Sequence, residues 1–246
     1  YIDVAQVVFY IFLLFFVGLI IYLTLESKRE GFPLETERYG QVRREDGILG
    51  MPRVKKFVTE FGKTYYAPLQ TPPEPEKVSA VPIHPWNGAP LSPVGNPLLA
   101  GVGPGSYANR ADHVDYDLEG HARIRPLRKL PHIAISTIDI NPIGLDVIGA
   151  DGNKGGKVTD VWVDHMEMMI RYLELDANGN KVLLPINFSR IGKHDIQVQS
   201  ILSDQFALVP KTKHPEEVTL LEEEKIMAYF GAGTLYATPE RQEPLA

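Results

Sequence analysis

From Val4 to Leu25 the chain runs for 22 residues without a single charge: VAQVVFYIFLLFFVGLIIYLTL. As a helix this run is about 33 Å long, enough to cross a hydrocarbon core of ~30 Å. A helix buried in a soluble protein is rarely apolar on every side over such a length. A cleaved signal peptide carries a basic flank first, a shorter apolar core and a small-residue cleavage site. Here only Asp3 precedes the run, and Lys28 and Arg29 follow it. The expectation is one transmembrane helix within residues 1–25, with Lys28 and Arg29 at the membrane interface. Because Lys28, Arg29, Arg38, Arg43 and Arg44 all follow the span and none precedes it, the C-terminal side is expected in the cytoplasm. The chain begins with Tyr rather than Met, and a few residues are expected to precede it.

The 246 residues suit one domain with attachments. Lys and Arg total 25 against 31 Asp and Glu, a net charge of −6 that counts against a nucleic-acid partner held by positive charge. With no cysteine there is no disulfide framework, thiolate metal site or cysteine nucleophile. Seven histidines leave imidazole chemistry open.

Ten of the 20 prolines fall between Pro68 and Pro104, which prevents regular helix or central strand there. A free tether would be polar, yet this stretch carries Val81, Ile83, Trp86, Leu91, Val94, Leu98 and Leu99. Residues 26–105 are therefore expected to be an extended segment lying on partner subunits. Beyond Ile133 come short runs rich in β-branched and aromatic residues, at 155–164, 170–176, 181–186 and 194–202, with hairpin signals at Asp151-Gly152 and Asn178-Gly179. They predict a strongly curved antiparallel sheet or barrel within a domain at 106–246. Thr219 and Glu222 form a capping box that opens one prominent helix, with an expected end at Gly231 to Gly233.

Catalytic motifs are weak. GVGPG (101–105) follows no strand and opens no helix, and in GNKGGK (152–157) Val158 stands where a phosphate loop needs Ser or Thr. Asn187-Phe-Ser is a glycosylation triplet on the wrong side of the membrane. The histidines show no metal-ligand spacing, so no metal site is assigned, and no nucleophile elbow occurs. The carboxylates say more. Asp160, Asp164 and Glu167 follow one another, with His165 between and Arg171 four residues after Glu167. Asp117, Glu119 and His121 form a second group and Glu222 to Glu224 a third. Such groups are either a solvated face with surface ion pairs or a proton relay, in which acidic neighbours and partial burial raise carboxyl pKa values toward neutrality. Alternate spacing would point Asp117, Glu119 and His121 the same way if that segment is extended.

Taken in order, KREGFPLE (28–35), VGNP (94–97), VGPGSY (102–107), NPIGL (141–145), GKVTDVWVD (156–164), RYLEL (171–175), SDQFALVP (203–210), EVTLLEEEK (217–225) and LYATPER (235–241) resemble the H subunit of the purple bacterial photosynthetic reaction centre from end to end. The late part is similar to the PRC-barrel domain.

The resemblance implies a transmembrane helix, a cytoplasmic mainly-β PRC-barrel-like domain and a C-terminal helix. It implies a non-catalytic cap on the L and M subunits in the bacterial photosynthetic membrane, with an N-terminus in the periplasm. Such a cap shields the quinone sites and conducts protons to the secondary quinone. The bacteriochlorophylls, bacteriopheophytins, quinones, carotenoid and non-haem iron belong to the partners, not to this chain. A cytochrome subunit, a light-harvesting antenna and membrane lipids are further expected partners. By the same resemblance Glu167 is the inner proton-path acid, with Asp164 and Arg171 as its polar neighbours and Glu223 a buried acid of the capped helix. Asp117 and His121 match the surface entrance, where Glu119 replaces one of two family histidines and Phe32 replaces a tyrosine elsewhere. The rival readings are a bitopic adaptor whose barrel binds another cytoplasmic partner and a tethered hydrolase, which lacks a nucleophile motif.

Overall fold

The computed structural model describes residues 3–30, 34–35, 42–43, 49–59, 62, 64–68, 78–86 and 88–242. Phe32 and the whole 69–77 stretch lie outside them. Two compact units form, one from Tyr1–Lys77 with Pro85–Ala89, the other from Val78–His84 with Pro90–Ala246.

In the first unit, α1 (Val4–Ser27) is a 24-residue helix with no buried residue, a mean hydropathy of 2.8 in its most apolar window and Asp3 as N-cap. Among the described residues it is the one helix long and apolar enough to cross a membrane. It runs two residues past the expected end. The two cations beyond it are tied down locally, Lys28 donating to the Gly50 carbonyl at 2.9 Å and Arg29 to Glu26, Arg53 and Ala67. Two small antiparallel ribbons complete this unit, β1 (Leu34–Glu35) with β2 (Val42–Arg43) and β3 (Lys55–Val58) with β4 (Thr64–Ala67).

The second unit opens with a ribbon of β5 (Ala80–Pro82) and β6 (Leu91–Pro93), in which proline is tolerated because a two-stranded ribbon is all edge. Its main sheet has seven strands: β7 (Ile124–Pro126), β8 (Asp146–Ile148), β9 (Lys154–Asp164), β10 (Met169–Ala177), β11 (Asn180–Pro185), β12 (Arg190–Ile191) and β13 (Asp195–Gln197). The order is β11-β10-β9-β8-β13-β12, with β7 also on β9. One edge of β9 is covered by β10, while the other is shared by β8 near its start and β7 near its end. Bulges between Ile170 and Tyr172 and between Glu174 and Leu175 add twist, so the sheet curls. Inside lie Trp162, Leu173, Leu184, Ile196, Phe206 and Phe230, each fully buried.

The helix α2 (Leu220–Tyr236) closes the curl. Thr219 and Glu222 make the expected capping box. The expected stop at Gly231 is wrong, because the helix continues to Tyr236 and its glycines serve close packing instead. A Cβ on Gly231 would lie 2.5 Å from the Pro104 carbonyl oxygen, and one on Gly233 would lie 2.4 Å from that of Ser200. The GVGPG stretch is pressed against this helix, Gly105 leaving room for Ala232.

Candidate functional site

The Asp117–His121 segment is a tight turn, not an extended strand on which alternate spacing would align its side chains. Tyr116 and Ala122 bridge, Asp117 N–H donates to the His121 carbonyl at 2.8 Å, and Gly120 takes a φ of 82° that its lack of a Cβ permits. Asp117 folds inward to 6% exposure while Glu119 and His121 stay outside. The turn still gathers the three side chains. Asp117 Oδ2 lies 3.5 Å from His121 Nδ1, Glu119 Oε2 lies 3.7 Å from the same nitrogen, and the three ligand-type atoms fall within 4.8 Å of one another. A small cation fits such a group as well as a proton does. Burial works against ionising Asp117, but the N–H groups of His121 and Glu119, with the two imidazoles nearby, outweigh it and lower its pKa.

His165, just past the end of β9, brings its Nε2 to 3.4 Å from the same Asp117 oxygen. That nitrogen is buried without a hydrogen bond. The position where sequence alone suggests a missing histidine thus has a second imidazole beside it, supplied from another element.

Arg123 links this turn to the end of β9. Its backbone carbonyl accepts from His165 N–H at 3.1 Å. Its guanidinium donates to Asp115 at 3.0 Å, to Asp164 at 2.7 Å and to Glu167 at 3.1 Å. Asp164, the last residue of β9, has a side chain only 2% exposed and also accepts the N–H groups of Met166 and Glu167. Glu167 lies in the following turn, its side chain 48% exposed. The first three acids together with one arginine leave an excess of negative charge, which concentrates protons nearby.

Two expected neighbours belong elsewhere. Asp160 lies four residues back along β9, roughly 13 Å at strand rise, where its register partner is Glu174. Arg128 bridges these two acids at 2.8 and 2.9 Å, and Trp162 and Lys181 also reach Glu174. Arg171 acts on Glu223 of α2, together with Arg110 and Asp115, while the cation paired with Glu167 is Arg123. Glu223 accepts a hydrogen bond from the Tyr172 hydroxyl at 2.8 Å, and burial raises its pKa above the ordinary carboxylate value despite these cations.

Arg123, Asp115, His165 and Tyr172 are members of this site that the sequence reading did not assign. Only His165 carried a signal, its place between Asp164 and Glu167.

The small curled sheet closed by α2 defines the class of PRC-barrel proteins, and residues 140–205 match the PRC-barrel domain. Residues 1–129 match the family described as photosynthetic reaction centre, H-chain N-terminal region. That match covers just over half of the chain, and the chain belongs to the reaction centre H-chain family. It is a structural subunit of a photosynthetic reaction centre, associated with the L and M subunits, and the family and the apolar helix together fit a single-pass membrane protein.

Proposed function

We propose that this chain caps the cytoplasmic face of the L and M subunits, shields their quinone sites from water and conducts protons to the secondary quinone. The observation that carries this reading is a group of proton-exchanging side chains, His121, Asp117 and His165, held by the bond from the His165 N–H to the Arg123 carbonyl beside the acids Asp164 and Glu167. Within that group the contacts of 3.4 and 3.5 Å are close to direct hydrogen-bond distance. Imidazoles exchange protons near neutral pH, carboxylates hold and release them, and the arginine keeps the acids from dispersing by repulsion. Asp117, held ionised, orients the imidazoles. On this reading the pigments, quinones, carotenoid and iron belong to the partners, as the family resemblance implies, and the chain conducts protons without a catalytic step of its own. The helix would run from a periplasmic N-terminus to a cytoplasmic C-terminal domain in the photosynthetic membrane, with the cytochrome subunit, antenna and lipids as further neighbours.

The surface beside Glu167 supports docking. Ile138, Met166, Met168 and Met169 are largely exposed and border or adjoin an open apolar hollow of about 740 Å³. Isolated surface apolar residues need no explanation, but a cluster of this kind beside a functional acid marks an interaction face. Covered by partner subunits, it would exclude bulk water from Glu167. One absorbance spectrum tests the assignment. The affinity-tagged chain, isolated from its native membrane, should bring down bacteriochlorophyll and bacteriopheophytin bands, and Met168→Asp should weaken that recovery. A colourless preparation from a photosynthetically grown cell would favour the adaptor reading instead.

A further inference from the structure

Tyr172 lies in β10 with 4% of its surface exposed, next to a bulge, and its hydroxyl reaches α2. A phenylalanine would fill that space equally well. The hydroxyl needs a partner when buried, and it donates to Glu223 Oε2 at 2.8 Å. The three consecutive acids of α2 have separate tasks. Glu222 closes the capping box, Glu224 meets Arg110 at 3.5 Å on the surface, and Glu223 turns inward.

We propose that Tyr172 is the positioning residue for Glu223, its hydroxyl fixing the carboxyl group and favouring the form without a proton. The inference rests on the proton-conducting function proposed above together with the family resemblance, by which Glu223 is a buried acid of that path.

The groups facing Glu223 come from three elements. Tyr172 and Arg171 stand on β10, Arg110 and Asp115 on the segment before β7, and Glu224, which acts on Tyr172, on α2 itself. Burial and Asp115 favour the protonated acid, while the hydroxyl and the two arginines oppose them. Burial and the Glu223 charge push the Tyr172 hydroxyl far above its ordinary pKa, so it remains a donor at every working pH. A hydrogen bond to a carboxylate is stronger than one to a neutral acid. The hydroxyl therefore acts as a constant bias toward release, and it holds the accepting oxygen at one place. Arginine could supply more bias, but it would add charge to a buried position. A neutral donor tunes the acid without that cost.

The test uses the intact reaction-centre complex and two infrared measurements. In the dark, the carboxyl band deleted by Glu223→Gln is titrated in the wild type and in Tyr172→Phe, which keeps the ring volume. The band's midpoint should rise by about one pH unit in Tyr172→Phe, a tenfold change in proton affinity, and no such band should remain in the double variant. An unchanged midpoint would reduce Tyr172 to core filling and overturn the proposal. In the light, carboxyl protonation on quinone reduction is followed in the same variants. If the dark midpoint moves but the light-driven signal is the same in all of them, the positioning role stands and the place of Glu223 in the proton route is what fails.

Discussion

Arg123 holds Asp164: a guanidinium from the start of β7's approach donates at 2.7 Å to a carboxylate that is 2% exposed at the end of β9. The two are 41 residues apart in sequence. Burial opposes the charge on Arg123, but Asp164 and Asp115 outweigh it and raise its pKa, so the guanidinium is charged at any working pH. Removing the arginine leaves Asp164 buried with backbone donors alone. Breaking a fully buried pair costs about 3–5 kcal/mol. Because Arg123 is 30% exposed, Arg123→Ala should cost about 2–3 kcal/mol on that scale, read as a lower Tm. Arg123→Ala combined with Asp164→Asn should recover part of the loss.

The close approach at Gly231 gives a second expectation. Alanine in a helix gains up to about 1 kcal/mol over glycine, yet the added Cβ would sit 2.5 Å from the Pro104 carbonyl. Overpacking against backbone typically costs about 1–3 kcal/mol, so the clash wins. Gly231→Ala should lower Tm, whereas Gly144→Ala, which meets no atom within 4 Å but has a φ of 90°, should lower it through backbone strain alone.

Acid stability should depend on Asp151. Slight burial disfavours its charge, but hydrogen bonds from Ser203 and Asn153 outweigh this and lower its pKa from 3.8 to about 2. A depressed folded pKa means stability that is full above the unfolded value and is lost as pH falls through the folded one. The window is therefore pH 4 down to 2. Melting curves across it should be flatter for Asp151→Asn than for the wild type, and parallel curves would remove the carboxylate from the account.

At the surface, added zinc should slow proton uptake by the complex by occupying the Asp117, Glu119 and His121 group. Substituting all three by alanine should slow uptake without metal and abolish the metal effect. Normal uptake in that variant, with no response to zinc, would move the entrance elsewhere.

Local signals carried much of the fold. Uncharged length sets α1, β-branched runs set β9 to β11, and Thr219 with Glu222 marks the start of α2. The end of α2 is not legible locally, because Gly231 and Gly233 look like a stop while the reason for them lies in Pro104 and Ser200, far along the chain. The site shows the same division. Its acids were visible as clusters, but their partners were not. Arg171 stands four residues after Glu167, a spacing that brings side chains together only on a helix. Here a turn separates them, and Arg123 takes that place. The Asp117 group converges through Gly120 rather than by strand alternation. Chemistry local to a turn or cap could be read; pairings made by the curl of the sheet could not.

The central claim is that protons reach the secondary quinone through this chain at Glu167. The rate of the proton-coupled second electron transfer, measured after two flashes in the complex across a range of pH, tests it most directly. Glu167→Gln keeps the shape and removes the exchangeable proton. The account predicts a slower second transfer, with assembly and the first charge separation nearly intact. A variant that assembles normally and runs the second transfer at the wild-type rate at every pH would make Glu167 an ordinary partner of Arg123 and contradict the route.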